Sequence, residues 1–166
     1  MRAGGNDLGV GVENADKNIF RNANYIVTPT EKNTKEAISV CKSLGKLLGF
    51  RTVRELSPEK HDEMIGFLSQ LTHCIAVSLM TCKESRDLVD YTGDSFRDLT
   101  RIAKINDRMW SELFLMNKDA LLREMDRFIE EFTEFRTYLA NEDGKRMREK
   151  MRASAQRRTL FDKIVK

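Results

Sequence analysis

The chain has 166 residues, 33% charged and 40% hydrophobic, enough for one domain with a core and an ordinary balance for a water-exposed protein. Its net charge of +3 does not by itself indicate a nucleic-acid face, and its first ten residues lack the apolar stretch of a secretory signal. No apolar run of about 18 residues stands out, so no bilayer span is expected.

In chain order, the first thirty residues differ from the rest. Gly4, Gly5, Gly9 and Gly11 crowd the start without a helical period. Asn24-Tyr25-Ile26-Val27-Thr28-Pro29 reads as a short strand ended by proline. A lone strand has no partner in a helical protein, so this segment reads as the end of something larger. Ala37, Val40, Cys41, Leu44, Leu47 and Leu48 then fall at helical spacing, with Gly49 as the stop. Residues 50–56 read as a connector.

Ser57-Pro58 opens the next helix, with Ser57 as N-cap and Pro58 in the first turn, where a missing N–H costs little. This helix is expected to run to about Cys82. It is apolar on most sides (Met64, Ile65, Phe67, Leu68, Leu71, Ile75, Val77, Leu79, Met80), as suits the centre of a bundle or a subunit interface. A shorter helix is expected from about Ser85, broken at Tyr91-Thr92-Gly93-Asp94-Ser95. Helix resumes over 96–105, and Asn106 or Asp107 caps another that carries Trp110. Leu121, Met125, Phe128, Phe132, Phe135 and Leu139 step by 4, 3, 4, 3, 4, a heptad seam that calls for a partner helix. Residues 141–144 are a turn, and 145–166 a last helix rich in Arg and Lys.

The three cysteines, Cys41, Cys74 and Cys82, are odd in number and irregular in spacing, which argues against a disulfide framework or a zinc site. Eight residues of helix hold Cys74 and Cys82 roughly 12 Å apart, too far to bridge. Buried free thiols in a cytosolic protein are expected instead.

Several stretches together resemble the prephenate dehydrogenase family. Gly11-Val12-Glu13-Asn14-Ala15-Asp16 and Tyr25-Ile26-Val27-Thr28-Pro29-Thr30 look like the closing strand of its nucleotide domain. Ser57-Pro58-Glu59-Lys60-His61-Asp62 and Ser69-Gln70-Leu71-Thr72-His73 look like its long central helix. Phe96-Arg97-Asp98-Leu99-Thr100-Arg101-Ile102-Ala103, Met109-Trp110 and Phe114-Leu115-Met116-Asn117-Lys118 look like its substrate-side segment. The matches keep the family order from about residue 11 to residue 140.

The resemblance implies oxidative decarboxylation of prephenate to 4-hydroxyphenylpyruvate, on the route to tyrosine. It implies a Rossmann domain that binds NAD or NADP and a helical domain that dimerises and closes the substrate pocket. A histidine of the nucleotide domain engages the substrate hydroxyl. This chain has no G-x-G-x-x-G after a strand, and the segment of that histidine would lie at or before Met1. Residues 1–30 are therefore read as a remnant of the Rossmann domain's last strand and linker, and 31–166 as the helical dimerisation and substrate domain. No catalytic, cofactor-binding or metal-ligating residue is assigned to the chain. Alone, it is expected neither to turn over nor to hold NAD or NADP.

Six residues are candidates for substrate binding. Arg101 matches the family's substrate-binding arginine, and a guanidinium fork suits one of the two carboxylates of prephenate. Its alternative is a surface arginine on an amphipathic helix. His73 matches the second histidine of a pocket-lining Ser-His-Leu-Pro-His stretch, against the alternative of a satisfied core histidine. Gln70 replaces the first histidine of that stretch; it keeps donors and an acceptor but cannot take a charge. Asp94 and Ser95 follow Gly93 where the family has consecutive glycines, against the alternative of a helix stop and cap. Asp98, three residues before Arg101, could orient its guanidinium.

His61 and Asp62 suit the start of their helix. About 18 Å of helix separates His61 from His73, so the two share no metal. Trp110 reads as core or interface packing, with a pocket wall as the alternative. The tail cations Lys145, Arg146, Arg148, Lys150, Arg152, Arg157 and Arg158 read as a solvated face.

The fold expected is all-α, a bundle of five to seven helices forming an intertwined dimer in the cytoplasm. The expected partners are a second copy, prephenate or arogenate, tyrosine as an inhibitor and the nucleotide-binding half. The rival readings are a non-catalytic dimerisation or tyrosine-sensing module, and a nucleic-acid binder using the basic tail, which no interleaved aromatics support.

Overall fold

A computed structural model describes residues 20, 21, 23–84 and 86–161. Gly4, Gly5, Gly9, Gly11, the Gly11 to Asp16 stretch, Ser85 and residues 162–166 lie outside the described residues. Seven α-helices and one two-stranded sheet are present among those described, so the all-α class holds. The chain forms two compact units, Met1–Leu121 and Leu122–Lys166.

In the first unit β1 (Asn24–Val27) is not alone. It pairs in parallel with β2 (Thr52–Glu55), register Asn24↔Thr52 to Val27↔Glu55. Helix α1 (Lys35–Leu47) is the crossover. The supposed connector is thus a strand, hidden in the sequence because Thr-Val-Arg-Glu is short and its partner lies a whole helix away.

Thr34 caps α1, its hydroxyl accepting from the Ala37 N–H at 3.2 Å. The helix ends as the sequence predicts. Gly49 adopts φ +77°, and its N–H and that of Phe50 return to the Lys46 and Gly45 carbonyls. The Tyr25 ring lies on Gly45 so closely that a Cβ there would be 2.5 Å from the ring. Phe50 extends that cluster, 4.9 Å from Tyr25 and 4.8 Å from Phe20 between ring centroids.

A continuous helical rod spans Pro58–Thr81. Ser57 caps it as predicted, accepting from the Lys60 N–H at 3.2 Å, with Pro58 in the first turn. The rod has three parts: α2 (Pro58–Ile65), a π turn (Gly66–Leu71) and α3 (Thr72–Thr81). Its length and mean hydropathy of 1.4 reach those of a bilayer span, contrary to the sequence expectation. Gln70 in its middle is buried and spends its amide on neighbouring helices, which is the behaviour of a protein-packed helix.

A 3-10 segment (Arg86–Tyr91), α4 (Asp94–Thr100) and a 3-10 turn (Arg101–Ala103) follow. The predicted helix over 96–105 is therefore shorter and starts earlier. Asn106, rather than Asp107, caps α5 (Asp107–Met116), accepting from the Met109 N–H at 3.0 Å. Helix α6 (Lys118–Ala140) passes from the first unit into the second.

In the second unit, Glu142 at φ 54° turns the chain, and Asp143 caps α7 (Gly144–Arg158) by accepting from the Arg146 N–H at 3.0 Å. The basic tail is α-helical to Arg158 and tightens into a 3-10 turn over Thr159–Phe161, while the prediction over 162–166 lies outside the described residues. Glu131 and Glu134 of α6 hold Lys150 of α7. Tyr138 donates its hydroxyl to Glu134, and the Arg146 guanidinium stands 5.7 Å above the Tyr138 ring.

Among the described residues the buried apolar side chains are few: Leu71, Ala76, Ala120 and Leu121. Large apolar side chains stay uncovered instead, among them Leu47 at 83% exposure, Met116 at 85% and Phe132 at 66%. The heptad seam of α6 is confirmed as helix, yet Phe128, Phe132 and Leu139 on it are all exposed.

Candidate functional site

Two of the six candidates, Gln70 and His73, lie on the rod where it meets α5, and the other four lie on α4 and the turn that follows it. Gln70 lies in the π turn and is 4% exposed. Its Nε2 donates to the Leu113 carbonyl at 3.1 Å, and its Oε1 accepts from Asn117 Nδ2 at 2.7 Å. The same Asn117 nitrogen donates to the Asp62 carbonyl at 2.9 Å. Gly66 faces the backbone at Ala120, where a Cβ would make an ordinary contact 3.6 Å from the Ala120 carbonyl carbon. Both ends of the Gln70 amide are used within the chain. A buried amide without a charge lowers its energy by pairing with fixed backbone and side-chain partners, so any contact of Gln70 with a substrate would compete with these bonds.

His73 stands one turn further along, at the start of α3. A π turn departs from the regular hydrogen-bond ladder, and here the Ser69 carbonyl receives two side-chain donors. They are the Thr72 hydroxyl at 2.7 Å and His73 Nδ1 at 2.8 Å. The His73 ring is stacked on Trp110 of α5, centroids 3.8 Å apart and planes at 28°. Phe114, one turn on, backs the indole at 5.5 Å. In the sequence Trp110 reads as core or interface packing or, alternatively, as a pocket wall. Its spacing to Leu113, Phe114 and Asn117 puts all four on one helical face, the signal that could have tied it to the rod.

Helix α3 packs against α4 and against the Arg101–Ala103 turn, so the fold brings the elements of His73 and Arg101 together. Arg101 is exposed and, among the described residues, has no ion-pair or hydrogen-bond partner. The expected Asp98–Arg101 pair does not form. Helix α4 ends at Thr100 and the chain tightens into a 3-10 turn, which changes the relation between positions 98 and 101.

Asp94, almost fully exposed, contacts Arg97 at 3.4 Å in the first turn of α4. Arg97, which the sequence reading passed over, also donates to the Thr92 carbonyl at 3.0 Å and so ties the two sides of the Gly93 break. Ser95 is exposed on the same turn. His61 contacts its neighbour Asp62 at 3.1 Å, at the start of the rod.

Thiol chemistry is not prominent here. All three cysteines are free; Cys41 and Cys82 are exposed rather than buried, and burial pushes the half-buried Cys74 thiol up from its ordinary pKa. The strand-to-helix connection between β1 and α1 is Thr28-Pro29-Thr30-Glu31-Lys32-Asn33-Thr34. It carries no glycine and places an acidic residue near the helix start, so it does not make a pyrophosphate cradle.

Comparison with known proteins places this arrangement. Residues 57–153 match the family model described as "Prephenate dehydrogenase, dimerization domain". The prephenate dehydrogenase of Bacillus subtilis (strain 168) is 37% identical over 142 residues, covering 82% of this chain and 38% of that protein. The cyclohexadienyl dehydrogenase of Zymomonas mobilis is 32% identical over 146 residues, covering 84% of this chain and 50% of that protein. The solved prephenate dehydrogenase from A. aeolicus, in complex with hydroxyphenyl propionate and NAD+, superposes with a TM-score of 0.83 at 29% identity. It covers 92% of this chain and 55% of that one. The chain thus spans half or less of the length of these two curated relatives. With the family model covering the rod, α4, α5, α6 and most of α7, the chain belongs to the prephenate dehydrogenase family.

Proposed function

We propose that the chain is the helical, substrate-side part of an enzyme that oxidatively decarboxylates prephenate, or the related arogenate, with NAD or NADP. The observation that carries this reading is the family match across 57–153, which contains both His73 and the unpaired Arg101. Arg101 anchors a substrate carboxylate: an exposed guanidinium without an internal partner is free for a bidentate anion contact. His73 contributes a hydrogen bond beside it. The relative solved with NAD+ and hydroxyphenyl propionate supports a pocket for a phenyl-ring carboxylate. The cofactor belongs to the nucleotide-binding part, and an enzyme of this kind works in the cytoplasm, where its cofactor is.

The part that belongs with the nucleotide domain extends to Leu56 rather than Thr30, because α1 is the crossover of a βαβ unit. Two strands alone are a marginal sheet, so further strands complete it.

The chain works as a homodimer. Phe67 and Leu68 of the rod and Phe132 and Leu139 of α6 are 54%, 49%, 66% and 61% exposed, more apolar surface than a stable monomer leaves in water. Sedimentation at micromolar concentration is expected to give a dimer; a monomer would remove this part of the reading.

The catalytic part is tested on the enzyme completed with its nucleotide-binding domain. Arg101→Gln is expected to raise KM about 10- to 100-fold, since a charge-assisted contact contributes about 1.5–3 kcal/mol. The effect on kcat is smaller if the anchor holds ground and transition states alike. His73→Asn weakens binding less. Unchanged KM and kcat in a folded Arg101→Gln enzyme would overturn the site.

A further inference from the structure

We propose that the Ser69 carbonyl and the Trp110 indole lock His73 in its Nδ1–H tautomer, presenting Nε2 as the ring atom offered to a ligand, with Trp110 as a positioning residue. This deepens the substrate-site reading above, on which its functional meaning rests.

The tautomer follows from the partner. A carbonyl oxygen only accepts, so His73 Nδ1, 2.8 Å from it, must carry a hydrogen. In the neutral ring the other nitrogen then holds the lone pair. Nε2 has no hydrogen-bond partner among the described residues, and it is not enclosed, since no buried side-chain nitrogen or oxygen lacks a partner. It is therefore open to an incoming group. An imidazole left to itself in water favours hydrogen on Nε2, so the observed contact imposes the opposite choice.

Two features impose it. The Ser69 carbonyl, in the π turn, is fixed by two further donors, the Thr72 hydroxyl at 2.7 Å and the Thr72 N–H. Trp110 covers one face of the ring at 3.8 Å, which limits rotation about the Cβ–Cγ bond. Trp110 is itself held, because α5 is pinned to the rod through Gln70, Leu113 and Asn117. The chemical consequence is selective. Neutral His73 accepts from a ligand hydroxyl, and protonated His73 donates to a ligand carboxylate through the same Nε2.

The test needs no substrate, so its failure is distinct from failure of the catalytic reading. Long-range 1H–15N correlation on histidine-labelled chain is recorded at about pH 9, well above the ordinary imidazole pKa. The chain has only 2 histidines, and His61→Asn assigns the signals. The native chain is expected to show His73 with Nδ1–H in roughly two- to threefold excess, what one net hydrogen bond leaves after overcoming the ring's own preference for Nε2–H. Trp110→Leu should cut that excess several-fold, and Trp110→Phe, which keeps a flat face, should preserve most of it. The native spectrum also carries a second check, an upfield shift of the His73 ring protons from the indole, which stands even if Trp110→Leu fails to fold. Dominant Nε2–H in the native chain, no upfield shift, or an unchanged ratio in a folded Trp110→Leu would each overturn the proposal.

Discussion

The rod–α5 seam and the α6–α7 hairpin are both held by polar groups, but of opposite kinds. In the seam, Gln70 is buried and its neutral amide meets Leu113 and Asn117. In the hairpin, charged Glu131, Glu134 and Lys150 meet at the surface, beside Tyr138 and Arg146. A hydrogen bond made away from water costs much to leave unmade, whereas exposed ion pairs compete with solvent and salt. The seam therefore carries geometry that the site depends on, and the hairpin a contact that conditions can tune.

The sharpest way to break that contrast is Asn117→Ala. It removes the donor to both Gln70 and the Asp62 carbonyl. The buried Gln70 oxygen loses its partner, and about 2–3 kcal/mol of stability is expected to go with it in denaturant unfolding. A loss no larger than that of a surface substitution would put the seam on the same footing as the hairpin.

Lys150→Met should cost clearly less, and the difference should shrink further in about 1 M salt, where the Debye length is about 3 Å. Measured melting temperatures of the two variants at low and high salt separate the cases. A salt-insensitive loss at Lys150 would show the hairpin pairs to be desolvated.

The smallest effect is in pH. Hydrogen bonds from Lys150, then from Tyr138, hold the Glu134 carboxyl below its ordinary range. Its contribution is therefore present above the unfolded-state pKa and lost as pH falls through the folded one. Glu131, then Glu134, raise the Lys150 ammonium, and the Glu134 hydrogen bond raises the Tyr138 phenol. Those contributions are present below the unfolded pKa values and lost as pH rises through the folded ones. The hairpin should be flat in stability through neutral pH and weaken only at the acid and alkaline ends. Lys150→Met should flatten both ends, and a slope at neutral pH would contradict the assignment.

Local signals in the sequence were reliable where one residue acts on its own neighbours. Thr34, Ser57, Asn106 and Asp143 cap the helices they precede, and Gly49 ends α1. Of these, Ser57, Asn106 and Gly49 were read in advance. β2 was missed because Thr52–Glu55 becomes a strand only beside Asn24–Val27, and no pattern within four residues announces a partner so distant. The rod was read as one helix, and it is one, but the π turn in it is set by packing rather than by propensity.

The site divides the same way. Sequence by itself determined the helical class, the caps, the apolar rod, the heptad seam and the family resemblance that singled out His73 and Arg101. Each of these rests on residue type and spacing, which the chain carries whatever its tertiary structure. Tertiary structure alone decided that Gln70 meets Leu113 and Asn117, that Asp94 contacts Arg97, and that Asp98 does not pair with Arg101. It alone put Trp110 on His73. A polar side chain's role is settled by which partner reaches it first, and those partners come from elements 43 and 47 residues away in the case of Gln70, a distance at which spacing along the chain carries no information about space.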